Sequence, residues 1–526
     1  MTGRQTPNTA SLLVSLSTIK KTFQIDMKQT KIVATISDKK CDQEFIRKLF
    51  FAGMNVVRMN TAHAPEEGMK EIIRNVRAVS SHIGLMIDTK GPEIRTTGVA
   101  EPIQYKSGEI VKIFGRPEME TTHDILNVSY PDIANDVKVG DSILFDDGEL
   151  DMKVLEVQGP MLVTQVQNDG KLGARKSVNV PGEHIDLPAL TEKDRANILF
   201  AIEQDIDFIA HSFVRSADDV RAVQKILDEH NSDIKIISKI ENQEGIDNID
   251  EIIDASYGIM IARGDLGIEV PLECIPGLQR EIIHKCVLKK KPVIVATQML
   301  HTMINNPRPT RAEVTDIANA VYYRTDALML SGETASGKYP VEAVQTMAAI
   351  AEQAEKDRLR LKGLQISLSP NCSQKEFLAY SAIEATRKLG VAGIITDSET
   401  GETARILASF RGATPILAMC FKEKLQRWLN LSYGVIPVHQ KEHLAPQFMF
   451  TAAIRMLRQK GYIDLEDKIA YLSGSFGEGG GTTFVEINKV AMALDADSNY
   501  RFHLPEHPVK EQRGEPEAEE AWGGED

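Results

Sequence analysis

The sequence predicts an α/β protein built around a (β/α)8 TIM barrel, and three observations predict it. Eight short apolar runs, rich in β-branched residues, recur between positions 31 and 333. Amphipathic helical segments separate most of these runs, which is typical of parallel strands covered by helices. From the second run onward the strands end in polar residues, and the carboxyl ends of barrel strands form the active-site face of this fold.

The barrel elements follow in chain order. Strands are predicted at 31–37, 54–60, 84–90, 207–213, 235–241, 258–265, 292–298 and 327–333. Helices are predicted at 42–52, 66–80, 192–205, 216–230, 246–255, 276–290, 310–323 and 341–355. Eight strand–helix units of this kind match the repeat of a closed barrel.

The third unit is interrupted by an insertion. Residues 99–183 show short alternating runs with turn signals such as "KSGE" and "FDDGE", which predicts an inserted all-β domain. An insertion in this loop lies over the strand ends, where it can close as a lid. The barrel is therefore predicted to comprise residues 27–98 and 184–355.

A further unit follows the barrel. Five strand-like runs and helical segments near 374–389, 402–410, 420–430 and 446–460 predict a C-terminal α/β domain of the effector type over residues 356–500. Residues 1–26 show no clear periodicity, and a pattern begins afresh at Met27, which is an alternative start. The tail at 501–526 is strongly acidic, so both ends are expected to be disordered.

Composition excludes several classes. The chain of 526 residues carries a net charge of −14, which argues against a general nucleic-acid binder. No apolar run approaches the roughly 18 residues of a membrane helix. The five cysteines are scattered without metal-site spacing, so a reducing cytoplasm is expected.

One strand end is especially informative. Lys239 and Glu241 share a face of the strand "KIISKIE", and Asp265 follows the next strand. Two carboxylates with room for water and phosphate suit Mg²⁺ or Mn²⁺, and a neighbouring lysine can neutralise a phosphoryl group in transfer. The alternative interpretations are a helix cap for Asp265 and a plain salt bridge for Lys239.

Other strand ends add ligands for anions and cations. The backbone amides of "ARGDLG" can hold a carboxylate, and Arg58 and Arg95 add positive charge. Asn60, Asp88 and Thr89 offer oxygen atoms with one formal charge, which suits a monovalent cation. The remaining polar strand ends are Lys90, Ser212, Arg263, Thr297, Ser331 and Glu333.

Two stretches of the C-terminal unit are candidates for an effector site. The hydroxyl-rich turn at 396–403 is interpreted either as an ordinary N-cap or as a phosphate pocket, and the glycine-rich stretch at 474–483 can cradle a phosphate with amides. The residues predicted to hold an effector are Ser398, Thr400, Gly401, Thr403, Gly479, Gly480 and Gly481.

Seven motifs resemble the pyruvate kinase family. They are "DTKGPEIRT", "LPALTEKD", "SKIENQEG", "ARGDLGIEVP", "ATQML", "PTRAEVTDIANAV" and "MLSGETASGKYP", in that family's order. The resemblance covers residues 31 to about 345, and the C-terminal third is similar more loosely. It implies phosphoryl transfer from phosphoenolpyruvate to ADP, giving pyruvate and ATP in glycolysis.

The resemblance also implies residue roles. Glu241 and Asp265 would hold the divalent ion, Asn60, Asp88 and Thr89 would hold K⁺, and Lys239 would stabilise the phosphoryl group. Arg263, Gly264, Asp265, Thr297, Ser212 and Arg58 would bind the substrate. Thr297, Ser331 and Glu333 would assist protonation, with Arg58 also catalytic. Arg58, Asn60, His63, Arg95 and Lys176 would meet the nucleotide.

The sequence departs from the family pattern at one cation ligand. Ala62 stands where a serine hydroxyl would bind K⁺, although Glu93 resembles the glutamate of potassium-dependent members. "ISDKK" and "YRTDA" are further departures away from the inferred chemistry. The resemblance implies a homotetramer regulated by a sugar phosphate. The alternatives are a non-catalytic metabolite sensor that retains the fold, or another metal-dependent enolate enzyme.

Overall fold

A computed structural model describes residues 28–62, 64–360, 368–440, 446–474 and 481–501. The predicted disordered extension at 1–26 and the acidic tail beyond residue 501 lie outside these residues, as do His63, Gly479 and Gly480. The chain opens with three parallel strands, β1 (Lys31–Thr35), β2 (Val56–Met59) and β3 (Gly84–Asp88), and two helices, α1 (Gln43–Ala52) and α2 (Glu66–Val79). Asp42 caps α1 by accepting a hydrogen bond from the Phe45 amide, and Gly53 ends it at φ +115°.

The insertion follows β3 and is almost entirely β-structure. Its elements are β4 (Ile94–Arg95), β5 (Ile103–Tyr105), β6 (Ile110–Gly115), β7 (Ile125–Val128), α3 (Ile133–Asp136), β8 (Ser142–Phe145), β9 (Leu150–Gln158), β10 (Met161–Val166), β11 (Gly170–Leu172) and β12 (Ser177–Asn179). Seven strands form one sheet in the order β4-β12-β8-β9-β10-β6-β7, and β11 pairs with β5. Strand β4 lies five positions before the predicted start of the insertion at residue 99.

The barrel resumes after the insertion. Its strands are β13 (Phe208–His211), β14 (Lys235–Ile240), β15 (Gly258–Ala262), β16 (Val293–Ala296) and β17 (Ala327–Leu330). The helices around them are α4 (Glu192–Glu203), α5 (Ala217–Glu229), α6 (Gln243–Asp247), α7 (Ile249–Ala255), α8 (Arg263–Glu269), α9 (Ile275–Leu288), α10 (Arg311–Tyr322), α11 (Gly332–Ala335) and α12 (Pro340–Arg360). Short 3₁₀ turns occupy Leu272–Cys274 and His301–Ile304.

The eight barrel strands close in the order β1-β17-β16-β15-β14-β13-β3-β2, and every pair is parallel. The prediction of a closed (β/α)8 barrel is therefore confirmed. Successive residues of a strand face opposite sides, so Val293 and Val295 pack outward against the helices while Ile294 and Ala296 fill the interior. All strand termini at the carboxyl end then meet on one face.

The C-terminal unit is a second α/β layer. Its strands are β18 (Gly393–Ser398), β19 (Ile416–Cys420), β20 (Val435–His439), β21 (Lys468–Gly474) and β22 (Thr482–Lys489), and its helices are α13 (Gln374–Leu389), α14 (Glu402–Ser409), α15 (Glu423–Leu429), α16 (Pro446–Gln459) and α17 (Val490–Arg501). The sheet order is β20-β19-β18-β21-β22, with only β22 antiparallel. Helix α12 runs continuously across position 355, where the barrel was predicted to end.

The described residues contain no helix long and apolar enough to cross a membrane.

Candidate active site

Arg58 and Asp88 form a buried ion pair at the carboxyl ends of β2 and β3. Arg58 Nε lies 2.8 Å from Asp88 Oδ1, its Nη2 lies 2.5 Å from Oδ2, and its Nη1 donates to Thr35 Oγ1 at 3.1 Å. Burial alone would raise the pKa of the Asp88 carboxyl, but the Arg58 guanidinium and the Lys239 ammonium outweigh it and hold that pKa below its usual range. Arg58 is thus fixed in one orientation by a bidentate contact.

Lys239 lies at the centre of the strand ends. Its Nζ donates to Ser212 Oγ at 2.8 Å and lies 2.8 Å from Glu241 Oε1 and 3.4 Å from Asp88 Oδ2. Only 9% of the residue is exposed. Burial opposes its charge, but Glu241 and Asp88 outweigh burial, so the Lys239 pKa is raised and the ammonium is retained.

Glu241 is fully buried and incompletely satisfied. Its Oε2 accepts the Phe213 amide at 2.7 Å, whereas Oε1 has the ion-pair contact with Lys239 but no donor of hydrogen-bond geometry among the described residues. Burial and the negative charge of Asp265 raise the pKa of Glu241 to about 7, although Lys239 works against them. An oxygen in this state fits a divalent cation, because a buried carboxylate gains from a positive partner.

The loop from β15 into α8 is anchored on Thr297. Thr297 Oγ1 accepts the Gly264 amide at 2.7 Å and donates to the Ala296 carbonyl at 2.6 Å. Thr297 has φ +67°, a region that β-branched residues rarely adopt. The Arg263 guanidinium points back into the barrel wall, with Asp316 oxygens at 2.6 and 2.8 Å from Nη1 and the Thr297 carbonyl 2.7 Å from Nη2. Backbone strain such as that at Thr297 is found most often at functional sites.

Glu333 holds the ends of β16 and β17 together. Its Oε2 accepts the Ser331 amide at 2.8 Å and its Oε1 accepts the Leu300 amide at 3.0 Å, and the side chain is 2% exposed. Both oxygens are therefore used to fix backbone. The Ser331 backbone adopts φ −108° and ψ −96°, which turns the chain sharply into α11.

The residues predicted to bind K⁺ are brought together, but their oxygens contact protein groups. Asn60 Oδ1 accepts the Ala62 amide at 3.0 Å, and Thr61 Oγ1 donates to the Asp88 carbonyl at 2.7 Å. The Thr89 carbonyl accepts from Ser212 Oγ at 2.8 Å. Ala62 is exposed and offers only its backbone.

Arg95 ends β4 of the insertion, and Lys176 immediately precedes β12, which pairs with β4. Arg95 contacts Glu93 with Nε at 2.7 Å and Nη2 at 2.6 Å, and Lys176 contacts Asp146 Oδ2 at 2.7 Å. Both cations thus already have carboxylate partners. The position of His63, predicted to join them, lies outside the described residues.

A cavity of about 650 Å³ separates the insertion from the barrel. Arg95, Asp147 and Asn179 line it on the insertion side, and Asp265 and Glu269 line it on the barrel side. Asn179 Nδ2 reaches across to Glu269 Oε1 at 3.0 Å. The predicted metal carboxylate Asp265 therefore faces a space large enough for a nucleotide-sized ligand.

The predicted effector residues that are described lie together at the start of α14. Ser398 Oγ accepts the Gly401 amide at 2.9 Å, Gly401 has φ +79°, and Thr403 Oγ1 lies 2.7 Å from Thr482 Oγ1. A Cβ at Gly481 would lie 2.6 Å from Lys375 Cε. The negative charge of Glu402 in this turn would repel a phosphate. The Lys375 ammonium, 2.6 Å from Glu402 Oε2, offsets that charge.

The sequence did not identify two residues next to Ser212. Phe213, at φ +54°, donates its amide to Glu241, and His211 lies 3.1 Å from Thr89 Oγ1 through Nδ1. His211 is 1% exposed, and burial lowers its pKa to about 4. The available signal was a histidine at the end of an apolar strand, which alone does not distinguish a site from a core position.

Fold and site define a barrel enzyme in which a buried lysine, an arginine and two carboxylates meet at the strand ends. Comparisons with known proteins agree. The family model "Pyruvate kinase, barrel domain" matches residues 27–344, and "Pyruvate kinase, alpha/beta domain" matches residues 376–488. The chain belongs to the pyruvate kinase family.

Individual relatives cover most of the chain. A pyruvate kinase of Borreliella burgdorferi is 46% identical over 472 residues, covering 89% of this chain and 98% of that protein. One of Bacillus licheniformis is 43% identical over 474 residues, covering 88% and 80%. The crystal structure of a pyruvate kinase from Cryptosporidium parvum superposes with a TM-score of 0.82 at 35% identity, covering 88% of this chain and 96% of that one.

Proposed function

We propose that this protein transfers the phosphoryl group of phosphoenolpyruvate to ADP, giving pyruvate and ATP. The observation that carries the proposal is the buried ammonium of Lys239, which contacts both Glu241 and Asp88 at the strand ends. Phosphoryl transfer needs positioned positive charge more than covalent chemistry. This site supplies that charge on a rigid strand.

Lys239 acts on the group in transfer. Its raised pKa keeps it charged across physiological pH, and its contact with Ser212 fixes its direction. A preorganised cation in a site from which water is excluded stabilises developing charge without reorganising. Arg58, held by Asp88, adds a second fixed cation.

Glu241 and Asp265 are the residues that would hold Mg²⁺ or Mn²⁺. The buried Oε1 of Glu241, which contacts Lys239 but accepts no hydrogen bond, and the cavity-facing Asp265 fit such an ion. When bound, the ion supplies charge neutralisation and orients substrate oxygens. Among the described residues, no group of three or more His, Cys, Asp or Glu side chains is placed to hold a metal ion. Oxygens of substrate and water would therefore complete the coordination of the ion.

The substrate carboxylate is proposed to bind the amides at the start of α8, around Gly264 and Asp265, which requires the Gly264 amide to exchange Thr297 Oγ1 for a carboxylate oxygen. Thr297 holds this segment in place, and Arg263 acts by anchoring it rather than by touching substrate. After transfer, the enolate needs a proton on its methylene carbon. We propose that a water molecule beside Thr297 donates this proton. Ser331 and Glu333 position that region.

The nucleotide is proposed to occupy the cavity below the insertion, near Arg95 and Lys176. Binding there requires Arg95 and Lys176 to exchange the carboxylates of Glu93 and Asp146 for phosphate oxygens. Phosphate and carboxylate oxygens form charge-assisted hydrogen bonds of similar strength with these cations. Closure of the insertion as a lid would keep water from competing as phosphoryl acceptor. A K⁺ ion at Asn60, Asp88 and Thr89 requires a similar exchange.

Three features of the wider setting are also proposals. They are a homotetramer, a sugar-phosphate effector at the start of α14, and a cytoplasmic location. The last is supported by the free thiols of all five cysteines. None is needed for the chemistry at Lys239.

The test is a coupled assay of pyruvate formed from phosphoenolpyruvate and ADP with Mg²⁺, with and without K⁺. Turnover that depends on ADP and Mg²⁺ is expected. A purified, folded protein that binds phosphoenolpyruvate but gives no turnover under any salt or sugar phosphate would replace the proposal by the sensor alternative.

A further inference from the structure

His211 lies at the carboxyl end of its barrel strand and contacts Thr89. Thr89 in turn is hydrogen-bonded to Ser212, which contacts Lys239. His211 is the last residue of β13, next to β3 in the barrel, and it is almost completely buried. Its Nδ1 lies 3.1 Å from Thr89 Oγ1. None of the roles assigned above uses this side chain.

The hydrogen bonds around Thr89 fix the direction of that contact. Thr89 Oγ1 accepts the Ser212 amide at 2.9 Å, so its own proton is free to be donated elsewhere. Among the described residues, the acceptor within reach of that proton is His211 Nδ1. The imidazole therefore accepts at Nδ1 and carries its proton at Nε2.

The other ring nitrogen shows that this arrangement costs stability. His211 Nε2 is buried and has no hydrogen-bond partner among the described residues. An unsatisfied buried donor lowers stability. Packing alone would be served better by an apolar side chain, so the useful atom of His211 is Nδ1.

The contacts continue from Thr89 to Lys239. The Ser212 hydroxyl donates its proton to the Thr89 carbonyl, with 2.8 Å between the oxygens. The lone pairs of Ser212 Oγ are then available to accept from Lys239 Nζ, which lies 2.8 Å away. Ser212 is thus held to Thr89 through both its amide and its hydroxyl. With its proton held by His211, the Thr89 hydroxyl keeps a lone pair directed at the Ser212 amide.

We propose that His211 is a positioning residue for phosphoryl transfer, which orients the Thr89 hydroxyl and, through Ser212, sets the position of the Lys239 ammonium. The inference rests on the proposed function, because it assigns His211 to the same reaction. It predicts an effect on turnover that exceeds any effect on substrate binding, since Lys239 acts on the group in transfer.

The test compares two substitutions with equal numbers of side-chain heavy atoms. His211→Asn keeps an acceptor oxygen close to the position of Nδ1, whereas His211→Leu has none. Each leaves one buried donor unsatisfied, the new amide NH₂ in the first and the Thr89 hydroxyl in the second, so their thermal midpoints should be similar. We expect kcat to fall about 10-fold in His211→Leu, since a misplacement of about 1 Å costs about 100-fold and a smaller displacement of Lys239 should cost less.

In His211→Asn, kcat is expected within about 3-fold of the unmodified protein, and KM for phosphoenolpyruvate within about 2-fold in both variants. Equal losses of kcat in the two variants would overturn the inference, because the acceptor would then be irrelevant. Unchanged kcat in His211→Leu would overturn it as well. A loss seen only in KM would show a binding role instead.

A double-mutant cycle tests the route through Thr89. Thr89→Val removes the hydroxyl at nearly constant volume and should itself lower kcat about 10-fold. Adding His211→Leu should then lower kcat by less than about 2-fold, because the two residues act through one hydrogen bond. A second full 10-fold loss would overturn the route.

Folding does not block the experiment. If His211→Leu fails to fold, Thr89→Val alone carries the test, and a Thr89→Val protein with unchanged kcat overturns the inference. An unmodified chain without turnover would overturn the proposed function and this inference together, whereas an active chain with unaffected variants would overturn only the inference.

Discussion

Buried carboxylates at the amino end of the barrel have both oxygens satisfied, as do Asp88 and Glu333 at the carboxyl end, whereas Glu241 at the carboxyl end does not. At the amino end, Asp207 Oδ1 accepts from Arg427 at 2.6 Å, and its Oδ2 accepts from Arg77 at 3.1 Å and from the Leu85 amide at 2.8 Å. At the carboxyl end, Glu241 Oε1 contacts the Lys239 ammonium at 2.8 Å but has no donor of hydrogen-bond geometry among the described residues. Asp326, again at the amino end, has both oxygens filled by Arg411 and two backbone amides.

The difference distinguishes charges that hold the fold from the one carboxylate, Glu241, that we propose binds a metal ion. Saturated carboxylates at the amino end join the barrel to α15 and to the start of β20, and their removal should cost stability. Substitution of Glu241 at the carboxyl end should lower activity, because one of its oxygens still has a free acceptor site for a ligand.

Lys239→Met should produce the largest effect. If Lys239 acts on the transferring group as proposed, removing its ammonium should lower kcat about 10³-fold. Divalent-metal affinity should be retained, because the substitution removes a positive neighbour of Glu241. Steady-state kinetics and Mn²⁺ titration measure the two quantities, with Lys48→Met on the surface as the control. Activity close to that of the unmodified protein would refute the role of Lys239.

Arg427→Met should act on stability instead. The arginine is 5% exposed, and its loss leaves Asp207 buried with one fewer cation, which costs about 3 kcal/mol. Urea unfolding followed by fluorescence measures this, and kcat should stay within about twofold. Arg221→Met is the matched control, since its ion pair with Asp218 is exposed and contributes little. A large loss of kcat without loss of stability would break the distinction between the two ends.

Metal affinity should depend on pH through Glu241. Its pKa is raised to about 7, and a cation binds the ionised carboxylate, so protons compete below that pH. The apparent dissociation constant for Mn²⁺ should rise about tenfold per pH unit below 7 and level off above it. Calorimetric titration between pH 5.5 and 8.5 measures this. A flat profile would contradict it, and Glu241→Gln should remove the dependence.

Ala62→Ser should have the smallest effect. If K⁺ lies at Asn60, Asp88 and Thr89, a hydroxyl at position 62 adds a ligand and should lower the half-activating K⁺ concentration about threefold. Activity measured against K⁺ at constant ionic strength tests this, with Ala62→Val as a variant lacking the oxygen. An unchanged K⁺ response would place the cation elsewhere.

The sequence was a good guide to the barrel, since buried parallel strands are near-continuous apolar runs; all eight lie within the predicted spans. It also predicted that Lys239, Glu241 and Asp265 lie together, as the ends of the adjacent strands β14 and β15 place them, while their roles remain predictions. It was silent on the sheet order of the insertion, because antiparallel pairing between distant segments leaves little local signal. The contacts of His211 and Phe213 also depend on the neighbouring strand, and no spacing within 207–213 encodes them.

The pairing of β3 with β13 has a consequence for how the barrel forms. Asp88 and Ala210 are direct neighbours, although the whole insertion lies between them in the chain. The entropy of closing a loop grows only with the logarithm of its length, so this detour costs about 1 kcal/mol more than an ordinary strand–helix unit. The folding rate is more sensitive to such distant contacts than stability is. Among barrel strands that follow one another in the chain, β3 and β13 therefore make the most distant contacts, and a shorter connection between them should speed folding.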